Sequence, residues 1–125
     1  MKAMLSIKPQ YVSKIVDGTK KYEFRRRIFC RNDVESILIY ETRPTSAVVA
    51  EARVGEVLCD DPKSVWQKCG ACGGISKQSF MRYFKGTDIA YAIELRDVNA
   101  FDTPTPVSSY SPYVNRAPQS FAYVG

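Results

Sequence analysis

The chain is 125 residues long, 45% hydrophobic, with a formal net charge of +5. That length suits one domain with one proper core, and no apolar run approaches the ~20 residues needed to span a bilayer as a helix. There is no histidine, which excludes Ser-His-Asp and Cys-His nucleophile pairs as ordinarily built, the usual catalytic zinc ligands and the commonest general base.

In chain order, the apolar run at residues 4–7 predicts a strand. Pro9 suits the first position of a helix, where its missing N–H costs nothing. Tyr11, Val12, Ile15 and Val16 recur at helical spacing, and Gly18 fits the position that ends such a helix. A strand is expected over 21–29, a turn at 31–33 and a central strand over 36–40. Residues 47–58 form the longest β-like stretch. Val48, Ala50, Ala52 and Val54 should share one face, and Gly55 should mark a bulge of the kind found in curved sheets.

A short helix is expected over 62–68, and a second, capped by Ser76 and stopped by Gly86, over 77–84. Phe80, Tyr83 and Phe84 give that second helix an apolar side for core packing. A further strand is expected over 89–98, with Tyr91, Ile93 and Leu95 on one face. From Phe101 onward prolines interrupt the pattern, so residues 101–125 read as an extended wrap or lid. Periodicity alone predicts a single α+β domain, 1–125, with a small curved sheet and leaves its topology open.

The charge is placed unevenly. Residues 1–27 carry eight basic and two acidic side chains, and the remaining 98 carry ten and eleven. Such asymmetry suggests a polyanion, with nucleic acid first; the alternative is a solvated basic face. The N-terminal segment lacks a secretory apolar stretch, so a cytoplasmic location is expected. Without a secretory signal the four cysteines do not suggest disulfides. Cys69 and Cys72 form one C-x-x-C, half of a zinc signature. Ordinary thiols are the preferred reading, no metal or other cofactor is expected, and a zinc-stabilised interaction module is a third-ranked possibility.

Residues 18–25 read Gly-Thr-Lys-Lys-Tyr-Glu-Phe-Arg. On a strand, Lys21, Glu23 and Arg25 would share one face, and Tyr22 and Phe24 the other. This Gly-x-Lys-x-x-Glu-x-Arg pattern, together with Leu5-Ser6-Ile7-Lys8-Pro9, Gly73-Gly74-Ile75-Ser76 and Pro118-Gln119-Ser120-Phe121, resembles the ASCH domains, small relatives of the PUA fold. The resemblance implies a PUA-like small curved β-barrel of about five or six strands with two or three short helices. It also implies a cleft that binds RNA or a nucleoside, lined by Gly18, Lys20, Glu23 and Arg25.

The residue chemistry suits that role. Lys20 and Arg25 can neutralise phosphate, and Glu23 can accept from an exocyclic amine or a ribose hydroxyl. Tyr40 or Tyr91 can stack on a splayed base. Lys21, Lys8, Arg43, Arg116 and Gln119 join the candidate set: Lys8 at a strand-to-helix junction, Arg43 in a loop after a strand, Arg116 and Gln119 in the C-terminal segment. The expected function is an RNA- or modified-nucleoside-binding domain in RNA metabolism or in translational or transcriptional regulation. No membrane partner is expected, and DNA ranks behind RNA. The alternative is a small hydrolase. Some similar proteins deacetylate acetylcytidine with a Lys, a Thr and a Glu, and the Thr position is held here by Glu23. Others are described as ribonucleases. Lys20 and Glu23, or Glu94, would then carry the chemistry.

Overall fold

Proline at the first helical position, glycine just beyond the last turn and β-branched runs between turns divide the chain much as expected. In the computed structural model, residues 1–110, 118 and 121–124 are described. The elements are β1 (Lys2–Ile7), α1 (Pro9–Val16), β2 (Tyr22–Arg25), β3 (Ser36–Glu41), β4 (Ala47–Asp60), α2 (Pro62–Cys69), α3 (Lys77–Tyr83), β5 (Ala90–Thr105) and β6 (Phe121–Val124). Short 3-10 turns cover Gly70–Cys72 and Val107–Ser109. Asp61 caps α2 and Ser76 caps α3, each accepting from the backbone N–H three residues on. Among the described residues no helix is long and apolar enough to cross a membrane.

The strands form one sheet in the order β2-β5-β4-β3-β1-β6. β1 and β3 run parallel and every other neighbouring pair is antiparallel. The pleat sorts alternate side chains into different cores. Leu5, Ile37, Ile39, Ala50, Ala52, Ile93 and Leu95 join Val12 and Ile15 of α1 in the inner cluster. Ala90 and Ala92 face the other way, with Phe24, beneath Val65 and Cys69 of α2 and Phe80 of α3. Met4, Leu38, Tyr40, Val48, Val107 and Val124 form a third cluster.

The β4–β5 register shifts three times, including between Val54 and Val57, which is the bulge expected at Gly55. Bulges of this kind bend a ladder and increase its twist. Arg25, at one end of the strand order, reaches the Ser6 carbonyl on β1, its Nη2 donating at 2.8 Å. The sheet is thus curled until its first and fifth strands approach. Its hydrogen-bonded order still has two ends, β2 and β6, so the barrel form is a curl rather than a closed ring among the described residues.

Three expectations need correction. The motif strand is four residues rather than nine, because β2 pairs only with Tyr91, Ala92, Ile93 and Glu94 of β5. The strand expected to stop near Val98 continues to Thr105. Pro104 is tolerated there because no pairing partner is assigned between Ala100 and Thr105, so its missing N–H breaks no ladder. Val48 does not share the core of Ala50 and Ala52, since the register shifts between Val48 and Ala50. The C-terminal wrap includes a strand, β6, antiparallel to β1, and its Tyr123 hydroxyl accepts from the Cys30 and Arg31 amides.

Candidate functional site

The site begins at the end of α1. Gly18 takes φ +88°, a left-handed conformation that costs a Cβ-bearing residue about 1–2 kcal/mol. Asp17 Oδ1 accepts from both the Thr19 amide and hydroxyl, and the Lys20 amide donates to the Lys14 carbonyl at 2.9 Å. These bonds turn the chain so that Lys20 enters the fold rather than solvent. The Lys21 amide then donates to the Cys72 carbonyl at 2.7 Å, tying the start of β2 to the 3-10 turn.

Lys20 is only 3% exposed and Glu23 8%. Lys20 Nζ donates to the Gly73 carbonyl at 2.6 Å and lies 3.7 Å from Glu23 Oε1. It also sits 4.9 Å from the Phe24 ring centroid and 5.3 Å from that of Tyr11, within cation–π range. Arg25 Nη2 lies 2.9 Å from Glu23 Oε2. Glu23 therefore bridges two cations. Burial lowers the Lys20 pKa from its ordinary value; Glu23 opposes that shift, and Lys14 and Arg25 add to it. The Gly73-Gly74 pair is required by this packing. Gly74 has φ +62°, and a Cβ there would lie 2.6 Å from Lys20 Cβ; one on Gly73 would lie 2.7 Å from the Phe24 ring.

These groups line a cavity of about 410 Å³. Ser6, Ile7 and Lys8 contribute from the β1–α1 junction, Tyr11 from α1, and Lys20, Glu23, Phe24 and Arg25 from the motif. Ile75, Ser79, Arg82 and Tyr83 contribute from α3 and the residues before it. The volume is in the range of small-molecule sites.

Of the twelve candidates named from sequence, Lys8, Lys20, Glu23 and Arg25 meet at this cavity. Gly18 shapes the turn that delivers Lys20. Lys21 and Arg43 are exposed and do not line it. Tyr40 is only 8% exposed and packs with Met4, Leu38 and Val48, so stacking at this cavity is not its place: the pleat puts it on the opposite side from Ile39. Arg116 and Gln119 lie outside the described residues. Tyr91 is half-buried and does not line the cavity, and Glu94 is held outside it by Arg96 and the Glu56 amide.

The sequence reading missed Ser6, Tyr11, Ser79, Arg82 and Tyr83. A signal existed: 75, 79, 82 and 83 follow the spacing of one helix face. The sequence pattern puts Tyr83 in the core with Phe80 and Phe84, yet it is 40% exposed. Cys69 is buried in the second core and burial pushes its thiol up, whereas Cys30 and Cys59 are exposed. Among the described residues no group of three or more His, Cys, Asp or Glu side chains could hold a metal ion.

Comparison with known proteins places these features. Residues 5–115 match the ASCH domain family. The chain is 37% identical over 95 residues to an ASCH domain-containing ribonuclease from Zymomonas mobilis, covering 76% of this chain and 64% of that relative. It is 27% identical over 121 residues to the large ribosomal subunit protein uL22 of Ureaplasma parvum, covering 97% of this chain but 38% of that protein. The chain thus spans under two thirds of the length of either curated relative. The crystal structure of ASCH from Zymomonas mobilis superposes with a TM-score of 0.90 at 30% identity, covering 99% of this chain and 87% of that one. With the Gly-x-Lys-x-x-Glu-x-Arg side chains gathered at one cavity of a fold shared along nearly the whole chain, the protein belongs to the ASCH domain family.

Proposed function

We propose that this protein binds RNA, or a modified nucleoside, by taking one unpaired nucleotide into the cavity around Lys20, Glu23 and Arg25. The observation that carries this reading is the charge of the lining. Lys8, Lys20, Arg25 and Arg82 stand against one carboxylate, Glu23, among the described lining residues. A concave surface with that surplus attracts anions, and the aromatic walls Tyr11 and Tyr83 suit a base. The similarity to a protein named a ribonuclease supports RNA over other polyanions. The natural setting is RNA metabolism or its regulation, with the chain acting as a single domain.

Fluorescence anisotropy against single-stranded RNA, duplex RNA and single-stranded DNA tests it, at low and moderate salt, with Lys20→Met checked for folding by circular dichroism. Single-stranded RNA should bind best, and the variant should lose at least tenfold. Equal weak binding to all three, unchanged in Lys20→Met, would reject the site.

A second reading, hydrolysis of RNA or of acetylcytidine, draws on Lys20. A lysine whose pKa is lowered by burial exchanges its proton nearer to neutral pH than a solvated one. Product formation from labelled RNA or acetylcytidine that disappears in Lys20→Met would establish it. No product after prolonged incubation would leave binding alone.

A further inference from the structure

We infer that α3 and Lys8 form a phosphate clamp at the mouth of the cavity, so that its ligand is a phosphorylated nucleotide, free or within a strand, and not a bare nucleoside. The inference rests on the nucleotide-binding reading above and deepens it. The floor and the mouth of the cavity differ in how their charges are engaged. On the floor, Lys20 and Arg25 are held by Glu23 and by the Gly73 and Ser6 carbonyls. At the mouth, Lys8 and Arg82 are exposed. Among the described residues no ion pair involves either of them; the same holds for the exposed Arg26, Arg27 and Arg43, but of these five only Lys8 and Arg82 line the cavity.

The two mouth cations come from separate elements. Lys8 precedes Pro9 at the start of α1, and Arg82 lies in the last turn of α3. Ser79 and Tyr83 line the same cavity from the Arg82 side. Position 82 is held firmly: Phe80, two residues earlier, packs edge-on against Phe24 at 4.9 Å, and Phe84, two residues later, packs on Phe80 at 4.7 Å. Tyr83 rests edge-on against Phe84 at 4.8 Å while its ring stays accessible. A rigid shelf that offers a guanidinium beside an aromatic ring suits a phosphate attached to a base-bearing sugar: Arg takes the phosphate through its fork, and the ring stacks on a base. A bare nucleoside leaves both mouth cations without a counterion.

The test is titration calorimetry of the whole chain with the four common ribonucleosides, their 3′- and 5′-monophosphates, a mixed-sequence hexaribonucleotide and inorganic phosphate. The proteins are wild type, Lys8→Ala, Arg82→Ala, Arg82→Lys, Tyr83→Leu and Lys20→Met, with Arg53→Ala as a surface control. All but Lys20→Met change exposed side chains, so folding is not at stake in them. Phosphorylated ligands should bind at least tenfold tighter than nucleosides. Lys8→Ala and Arg82→Ala should each lose at least fivefold on those ligands and nothing on nucleosides, Arg82→Lys should lose less, and Arg53→Ala nothing. A hexanucleotide at least tenfold tighter than any monophosphate identifies an RNA strand as the ligand, and equal affinities identify free mononucleotides. Nucleosides as tight as their phosphates, or an Arg82→Ala that binds like wild type, overturns the clamp and leaves the cavity reading standing. Failure of every ligand to bind, or binding indifferent to Lys20→Met, overturns both.

Discussion

At the scale of single residues, Glu23 has the largest energetic consequence. It is the carboxylate between two little-exposed cations, and removing one partner of a buried ionic group typically costs ~3–5 kcal/mol because the remainder is left uncompensated. Glu23→Ala should therefore destabilise the protein by about that much in urea titration. Lys20→Met should cost less, since Glu23 keeps Arg25 and the methionine fills most of the buried stem's volume, although the ammonium contacts over the Tyr11 and Phe24 rings are lost. The lowered Lys20 pKa gives a second expectation. Between the folded value and 10.5, the unfolded chain binds more protons at this group, so stability rises with pH across that interval and levels above it. The difference in unfolding free energy between wild type and Lys20→Met, measured from pH 8 to 11, should shift in favour of wild type as pH rises. Referencing to the variant cancels Tyr22 and Cys69, which titrate nearby with raised values. The resemblance to the ASCH motif implies Lys20, Glu23 and Arg25, whereas strand alternation alone groups Lys21 with Glu23 and Arg25. Neither reveals that Lys20, a residue of a polar turn, would be the least exposed of the three, because the carbonyl and rings that enclose it come from Gly73, Tyr11 and Phe24.

At the scale of elements, the turn chemistry was legible and the lengths were not. Pro9, Gly18, Ser76 and Gly86 act locally through φ preference or side-chain caps, and each sits at an element boundary. The ends of β2 and β5 depend on partners distant in sequence, so local pattern predicts a motif strand longer than β2 and a strand shorter than β5. The glycines separate the two kinds of constraint. Gly18 and Gly74 both have positive φ, but a Cβ at Gly18 meets open space and one at Gly74 meets Lys20. Gly18→Ala should cost about 1–2 kcal/mol through the backbone alone. Gly74→Ala should cost more and also weaken RNA binding, measured by thermal unfolding and anisotropy on the same preparations. Phe80→Ala, removing a fully buried ring from the α2–α3 core, should cost ~3–5 kcal/mol and loosen the shelf that presents Arg82.

At the scale of the whole molecule, charge and curvature act together. The basic excess lies in the first 27 residues, yet the cavity combines part of it with Arg82, 55 positions beyond Arg27. Binding to single-stranded RNA should weaken with salt by about 0.7 in log–log slope per phosphate neutralised, so Arg82→Ala should flatten that slope by about 0.7 in a salt series of anisotropy titrations. The sequence by itself determined the family, the mixed helix–sheet composition, the capped and glycine-stopped helices, and a Lys-Glu-Arg cluster. Those features depend on local spacing, backbone preference and an ordered set of short motifs. Only the tertiary structure decided which side chains share the cavity. The curl of the bulged sheet brings Ser6 to Arg25, the Gly73-Gly74 turn closes over Lys20, and the Phe24–Phe80 contact carries α3 to the mouth. Each of these juxtapositions joins residues 19 to 56 positions apart, a separation that no local period encodes.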